Sequence, residues 1–408
     1  MFDVEAIRRQ FPVLRNRKLI YLDSACTTLK PQKVIDSIIH YYSEISACAG
    51  RSIHTLAMEA TDEVDRGRKA IARFIGAAPN EIIFTKNTTE GINLVSFALG
   101  LKKGDRVITS DLEHHSNLLP WQFARDRYGV EYIPIHVDGD GILDLDQFTS
   151  SINERTRLIA LQYSSNVLGT SFPIKEIAKI AHENDTLLLV DGAQTVQHMP
   201  VDVKDLGADF LAFSGHKMCG PTGIGVLFGR EELLREMTPF LVGGETIKEV
   251  KLDHTTMAPP PKKYEAGIQN YAGIIGLGAA CEFLTEIGMD NIINHERELT
   301  KHALTRLSEL EDQGKLVLYG PKDVTKRIGV LAFNIKTDNG KIVNSHDVAI
   351  MINETKKIAI RSGFHCVQPF VTRHCGVDGA ARASFYLYNT LEEVDILYDG
   401  LKEAASIF

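Results

Sequence analysis

Seven short apolar runs, separated by helical patterns, fill residues 60–235 and leave this chain few folds to choose from. The runs are 81–86 (EIIFTK), 105–110 (DRVITS), 131–137 (EYIPIHV), 157–163 (RLIALQY), 186–191 (TLLLVD), 209–214 (DFLAFS) and 223–229 (GIGVLFG). Helical patterns fit between them, for example at 61–76 and 173–184. This alternation predicts an α/β fold, a mainly parallel sheet with helices on both faces. Such sheets bind ligands beyond the carboxyl ends of their strands.

A chain of 408 residues exceeds the usual size of one hydrophobic core, so two domains are expected. The pattern changes after about residue 290. A long polar amphipathic helix (291–312) precedes strands near 316–319 and 328–335, a helix near 344–355, strand pieces near 357–361 and 381–387, and a last helix from Leu391. These predict a smaller α+β domain, formed by 290–408 with 1–19, beside a large domain over 20–289. Between the two patterns, Val242-Gly243-Gly244 and Pro259-Pro260-Pro261 mark 242–264 as a long loop. Loops of that length usually have a role.

A net charge of -8 argues against a nucleic-acid or anionic-membrane binder. The cysteines stand at 26, 48, 219, 281, 366 and 375, with no CxxC pair, which suits a reducing compartment. The charged, amphipathic N-terminus lacks the features of a signal peptide, and no apolar stretch reaches membrane-spanning length. A cytoplasmic protein is the expectation.

Chemistry gathers where strands end. Asp191 closes the run 186–191, and Lys217 follows the run 209–214 in Ser214-Gly215-His216-Lys217. A pyridoxal phosphate enzyme needs such a pair: a Schiff-base lysine, and a carboxylate for the pyridinium nitrogen. A helix cap and a surface lysine are the plain alternative. Asn87-Thr88-Thr89-Glu90 follows a strand and opens a helix, which suits either a phosphate site or simple N-capping. Ser214 and His216 could add phosphate donors. His114, in Glu113-His114-His115, could stack on a flat cofactor and move protons. No further ligands at set spacing accompany the histidine pair, so no metal is expected. Cys366 lies in RSGFHC, where Arg361 and His365 could favour its thiolate. It could equally be a buried inert cysteine. A zinc site from His365, Cys366, His374 and Cys375 matches no common spacing.

Taken in order, these motifs resemble a known family. They run from Tyr21-Leu22-Asp23-Ser24-Ala25 through Ser52-Ile53-His54-Thr55-Leu56, Thr88-Thr89-Glu90-Gly91-Ile92-Asn93, Glu113-His114-His115 and Ser165-Asn166-Val167-Leu168-Gly169. They continue through Asp191-Gly192-Ala193-Gln194, Ser214-Gly215-His216-Lys217 and Tyr264-Glu265-Ala266-Gly267 to Arg361–Cys366 and Arg382-Ala383-Ser384. The chain resembles fold-type I pyridoxal phosphate enzymes of the class V aminotransferase group, and within them the Suf-type (group II) cysteine desulfurases and selenocysteine lyases.

The resemblance implies roles. Lys217 would bond the cofactor, Asp191 would pair with the ring nitrogen, Gln194 with the ring hydroxyl oxygen, and His114 would stack on the ring. Thr88, Thr89, Ser214 and His216 would hold the phosphate. Asn166, Arg382 and Arg361 would bind the substrate, with Arg382 as a fork on its carboxylate. Cys366 would take sulfur from L-cysteine as a persulfide, with Lys217 and His114 moving protons. The product would be L-alanine, and the sulfur would pass to an acceptor protein such as a cluster scaffold, for iron–sulfur cluster assembly or another delivery route. A homodimer is implied. The alternatives are a selenocysteine lyase acting on L-selenocysteine, and a non-catalytic sulfur-transfer scaffold. The chain departs from the family pattern at Phe364, where a histidine is usual, and at Ile268, where a threonine reaches the partner subunit's phosphate. Cys26 stands where a small residue is common.

Overall fold

A computed structural model describes residues 2–376 and 378–408. All seven apolar runs form strands of one sheet: β1 (Ile82–Thr85), β2 (Arg106–Ser110), β3 (Glu131–Ile135), β4 (Thr156–Gln162), β5 (Leu187–Asp191), β6 (Phe210–Ser214) and β7 (Gly225–Gly229). Their order is β1-β7-β6-β5-β4-β2-β3. Only β7 runs against the others, pairing antiparallel with both β1 and β6. Strands β6 and β7 are buried throughout. That double-sided burial explains why they read as unbroken apolar runs. Each leucine, isoleucine or phenylalanine so buried contributes about 1.5–3 kcal/mol.

Helices cover the sheet. The pattern at 61–76 belongs to a longer helix, α1 (Thr55–Phe74), whose start is set by His54: its side chain accepts from the Ala57 amide. Next in the chain are α2 (Thr88–Ala98) and α3 (Ile174–Glu183). The apolar helix α4 (Tyr271–Ile287) is almost wholly buried and packs against α1. Its apolar residues surround the helix, so it shows no amphipathic period, and no pattern marked it in the sequence.

The segment 242–264 is not simply a loop. It contains an antiparallel hairpin, β8 (Ile247–Val250) and β9 (Thr255–Met257). The β-branched residues Ile247, Val250, Thr255 and Thr256 favour strand, and the flanking glycines and prolines obscure them.

The later residues run α5 (Met289–Asp312), β10 (Leu316–Tyr319), β11 (Val330–Ile335), α6 (Ser345–Lys356), β12 (Arg361–Gly363), α7 (Gln368–His374), β13 (Ala380–Ser384) and α8 (Leu391–Ile407), which is the expected order with one addition, the short helix α7. A four-stranded antiparallel sheet forms in the order β10-β11-β13-β12. It has its own core, including Leu299, Leu331, Phe333 and Leu397. The N-terminal segment leans on this part, with Phe2 stacked on His295 and Arg8 paired with Glu393 at 2.9 Å. It also reaches α4, where Phe11 meets Phe283 edge-on. Ties between the two parts include a bridge between Thr170 and Arg327 and a buried His198–Glu296 pair at 2.7 Å. Among the described residues, no single helix is long and apolar enough to cross a membrane.

Candidate active site

A cavity of about 230 Å³ opens beyond the carboxyl ends of the large sheet, where the smaller sheet meets it. All twelve residues singled out from the sequence line it: Thr88, Thr89, His114, Asn166, Asp191, Gln194, Ser214, His216, Lys217, Arg361, Cys366 and Arg382. The first nine end or closely follow strands β1, β2, β4, β5 and β6. The last three come from β12, the loop after it, and β13.

Strand pairing builds one end of the cavity. Ser214 and Thr85 both pair with Gly225. A Cβ at Gly225 would lie 2.6 Å from the Asn87 Cα, so glycine lets the start of α2 settle on the sheet. Ser214 Oγ then accepts from the Thr88 amide at 2.8 Å and lies 2.7 Å from Thr88 Oγ1. Thr89 Oγ1 lies 2.7 Å from Ser116 Oγ. Asn87 Oδ1 caps the Glu90 amide at 3.0 Å. Hydroxyls grouped at a helix N-terminus suit an anionic phosphate.

Across the cavity, Asp191 is buried, and one oxygen accepts from the Ala193 amide at 2.9 Å. Burial pushes its pKa up, opposed by that amide and by the charge of Lys217. A buried carboxylate with a single protein donor suits a protonated ring nitrogen as its further partner. Burial lowers the pKa of Lys217, though Asp191 opposes this. The neutral amine that carbonyl condensation requires is thereby favoured. Gln194 donates from Nε2 to the Ala25 carbonyl at 2.6 Å. These groups fit pyridoxal phosphate.

His114 Nδ1 accepts from the Ser116 amide at 3.1 Å, so the neutral ring carries its proton on Nε2. Its pKa is pushed down to about 3, chiefly by burial and then by the charge of Lys217. The ring is therefore neutral at working pH. Behind it, Glu113 is fully buried, held by Ser110 Oγ (2.6 Å), Asn117 Nδ2 (2.7 Å) and the Gln162 amide (2.8 Å). Burial pushes its pKa up to about 8. In the sequence this support shows only as an acidic residue before two histidines.

The cysteine loop is strained and tied down. His365 and Cys366 have consecutive positive φ angles of 51° and 59°. Such angles cost a non-glycine residue about 1–2 kcal/mol each. The carbonyl of His365 accepts from Asn166 Nδ2, and that of Cys366 from the His115 amide, both at 2.7 Å. His115 Nε2 further accepts from the Gln368 amide at 3.2 Å. Cys366 itself is exposed at the mouth. His365 also lines the cavity, with Nε2 against the Ala380 carbonyl at 2.9 Å.

Arg382 is 98% buried by its 2% exposure, yet it lines the cavity. Nη1 donates to the Asn166 carbonyl at 2.9 Å, and Nη2 to Asp23 Oδ1 at 2.8 Å. Its Nε and the Asn166 Oδ1 are buried without partners. Arg361 Nη1 donates to Cys26 Sγ at 2.8 Å, on the same cavity wall. The sequence motif contained Asp23, but nothing local linked it to an arginine 359 residues away.

A sequence model of the family described as Aminotransferase class-V matches residues 20–397. A relative from Halalkalibacterium halodurans, described as a probable cysteine desulfurase, is 45% identical over 98% of each chain. The structure is similar to that of a cysteine desulfurase from Thermococcus onnurineus, with a TM-score of 0.93, 40% identity, and coverage of 99% of this chain and 98% of that one. A cysteine desulfurase from Escherichia coli, in an S-sulfonic acid form, is 35% identical over 100% of both chains, with a TM-score of 0.90.

Proposed function

The chain belongs to the class-V aminotransferase family, and we propose that it is a pyridoxal phosphate-dependent cysteine desulfurase. It converts L-cysteine to L-alanine and takes the sulfur on Cys366. The observation that supports this most is the convergence of Lys217, Asp191, Arg382 and Cys366 on one cavity. Pyridoxal phosphate, when bound, supplies the electron sink for bond changes at the substrate α-carbon.

The chain's own residues do the rest. Lys217 would hold the cofactor, and its amine would accept the α-proton of the substrate. Asp191 keeps the ring nitrogen protonated. Thr88, Thr89 and Ser214 hold the phosphate at the start of α2, with His216 beside them. Gln194 holds the ring hydroxyl oxygen. Arg382, with Asn166 and Arg361, orients the substrate carboxylate. The Cys366 thiolate attacks the substrate sulfur: the new S–S bond forms as the Cβ–S bond breaks, and the electron pair stays with Cβ. A proton later completes the methyl group of alanine, and His114 Nε2–H is placed to take part in that transfer. Cys366 is left as a persulfide.

The sulfur passes to an acceptor protein for iron–sulfur cluster assembly or another delivery route. The protein works as a cytoplasmic homodimer. The large domain comprises 20–289, and the smaller domain 1–19 with 290–408.

Borohydride reduction of the cofactor-loaded protein, followed by peptide mapping, is expected to place the label on Lys217. A label on Lys262 or Lys263 would overturn the assignment. Ile268 is 75% exposed on the single chain, as an interface residue would be. Ile268→Thr should restore a hydroxyl toward the partner subunit's phosphate. A hydrogen bond to a charged group is worth about 1.5–3 kcal/mol, so cofactor dissociation should tighten by about tenfold or more. Unchanged dissociation would mean that Ile268 only packs.

A further inference from the structure

Behind the turn that carries Lys217, one main-chain oxygen receives four hydrogen bonds. The His216 carbonyl accepts from the Thr28 amide (3.0 Å), Thr27 Oγ1 (3.0 Å), Thr28 Oγ1 (3.2 Å) and Lys30 Nζ (2.9 Å). A carbonyl oxygen has two lone pairs, so this is more than satisfaction requires. The peptide in question is the one that leads into Lys217. Thr28 Oγ1 also accepts from the Cys219 amide at 2.8 Å, so both ends of the turn are stitched to residues 27–30.

Lys30 is the charged member of this group. Its ammonium also donates to Thr27 Oγ1 at 3.2 Å and to the Thr28 carbonyl. It forms no ion pair with any described carboxylate. The titratable groups around it carry no negative charge. The Cys219 thiol is pushed up to about 12 by burial. His216 is pushed down to about 4 by burial, then by the charges of Lys217 and Lys30. Lys217 is itself a base.

We propose that Lys30 is a positioning residue for Lys217: as the charged donor on the His216 carbonyl, it fixes how the Lys217 backbone enters the cavity and so aims the amine at the cofactor carbonyl. The proposal rests on the assignment of Lys217 as the cofactor lysine. A simple structural tie would behave differently. Burial lowers the pKa of Lys30 to about 8, from an ordinary value near 10.5. Between those values the unfolded chain binds more protons than the folded one, so this group makes stability rise with pH. Below about 8, the protonated side chain is a cost to the fold, not a support. A group kept charged against that cost is better explained by function than by folding.

The test compares wild type, Lys30→Met and Lys30→Arg as full-length apoproteins. The readouts are melting temperature and the rate of pyridoxal phosphate capture, followed by absorbance and by borohydride trapping on Lys217. Lys30→Met should melt at or above the wild-type temperature at neutral pH, yet capture the cofactor about tenfold more slowly. The deficit should be largest below about pH 8 and close toward about pH 9.5, where wild-type Lys30 has lost its own proton. Lys30→Arg should recover most of the rate. Capture within twofold of wild type in Lys30→Met would overturn the proposal. So would a deficit equal at every pH and accompanied by a lower melting temperature, which is the mark of a structural tie. If wild type captures no cofactor, the assignment of Lys217 fails first, and this proposal falls with it.

Discussion

Cys366→Ala is expected to abolish alanine formation from L-cysteine, by at least about a thousandfold, while cofactor loading stays at the wild-type level. The loop geometry makes this a clean substitution. Cys366 is held through its backbone, with its carbonyl on the His115 amide at 2.7 Å. The preceding carbonyl is held by Asn166 Nδ2, also at 2.7 Å. Neither contact uses the sulfur. Alanine at φ 59° carries a backbone strain similar to that of cysteine, so the loop should keep its path. The side chain is exposed at the cavity mouth, and no core contact is lost. What disappears is the nucleophile. The measurement pairs an alanine assay with the visible spectrum of the loaded protein, using L-cysteine and L-selenocysteine in parallel. Selenium leaves more readily than sulfur, so selenocysteine cleavage should largely survive. Alanine formation from cysteine at the wild-type rate would mean that a nucleophile other than Cys366 takes the sulfur, and cysteine turnover that yields sulfide and pyruvate instead of alanine would mark β-elimination.

The cavity could be read from the sequence because its parts sit at strand ends. Asp191 and Ser214 close apolar runs and Thr88 follows one, and a parallel sheet brings such ends together. Three kinds of feature left no local trace. The helix Tyr271–Ile287 is apolar on every side, so it lacks the period that marks a surface helix. The hairpin at 247–257 is short and lies between glycines and a proline run. Long-range polar pairs are invisible in principle: Arg382 meets Asp23 across 359 positions, and Lys30 meets the His216 carbonyl across 186. Such pairs decide how each side chain is aimed. The local pattern could therefore single out Lys217, and the family resemblance Arg382, without showing what holds them.

Arg382→Lys shows what that hold is worth. The guanidinium spans three directions at once. Nη1 donates to the Asn166 carbonyl at 2.9 Å, Nη2 to Asp23 Oδ1 at 2.8 Å, and Nε is buried without a partner, beside a cavity due to receive a carboxylate. A lysine ammonium is a single centre. It can reach Asp23 or the substrate, but it cannot reproduce the rigid fork that serves both. Losing one charged hydrogen bond to the substrate costs about 1.5–3 kcal/mol, and the expected fall in kcat/KM is about a hundredfold, mostly through KM. The apoprotein should also melt lower, because Asp23 would lose the geometry of its ion pair in a buried setting. The two readouts separate the roles. A lower melting temperature with wild-type KM for cysteine would make Arg382 a purely structural link between Asp23 and Asn166. A hundredfold loss relieved by a substrate analogue lacking the carboxylate, which wild type and variant would then process alike, would place the carboxylate on this guanidinium.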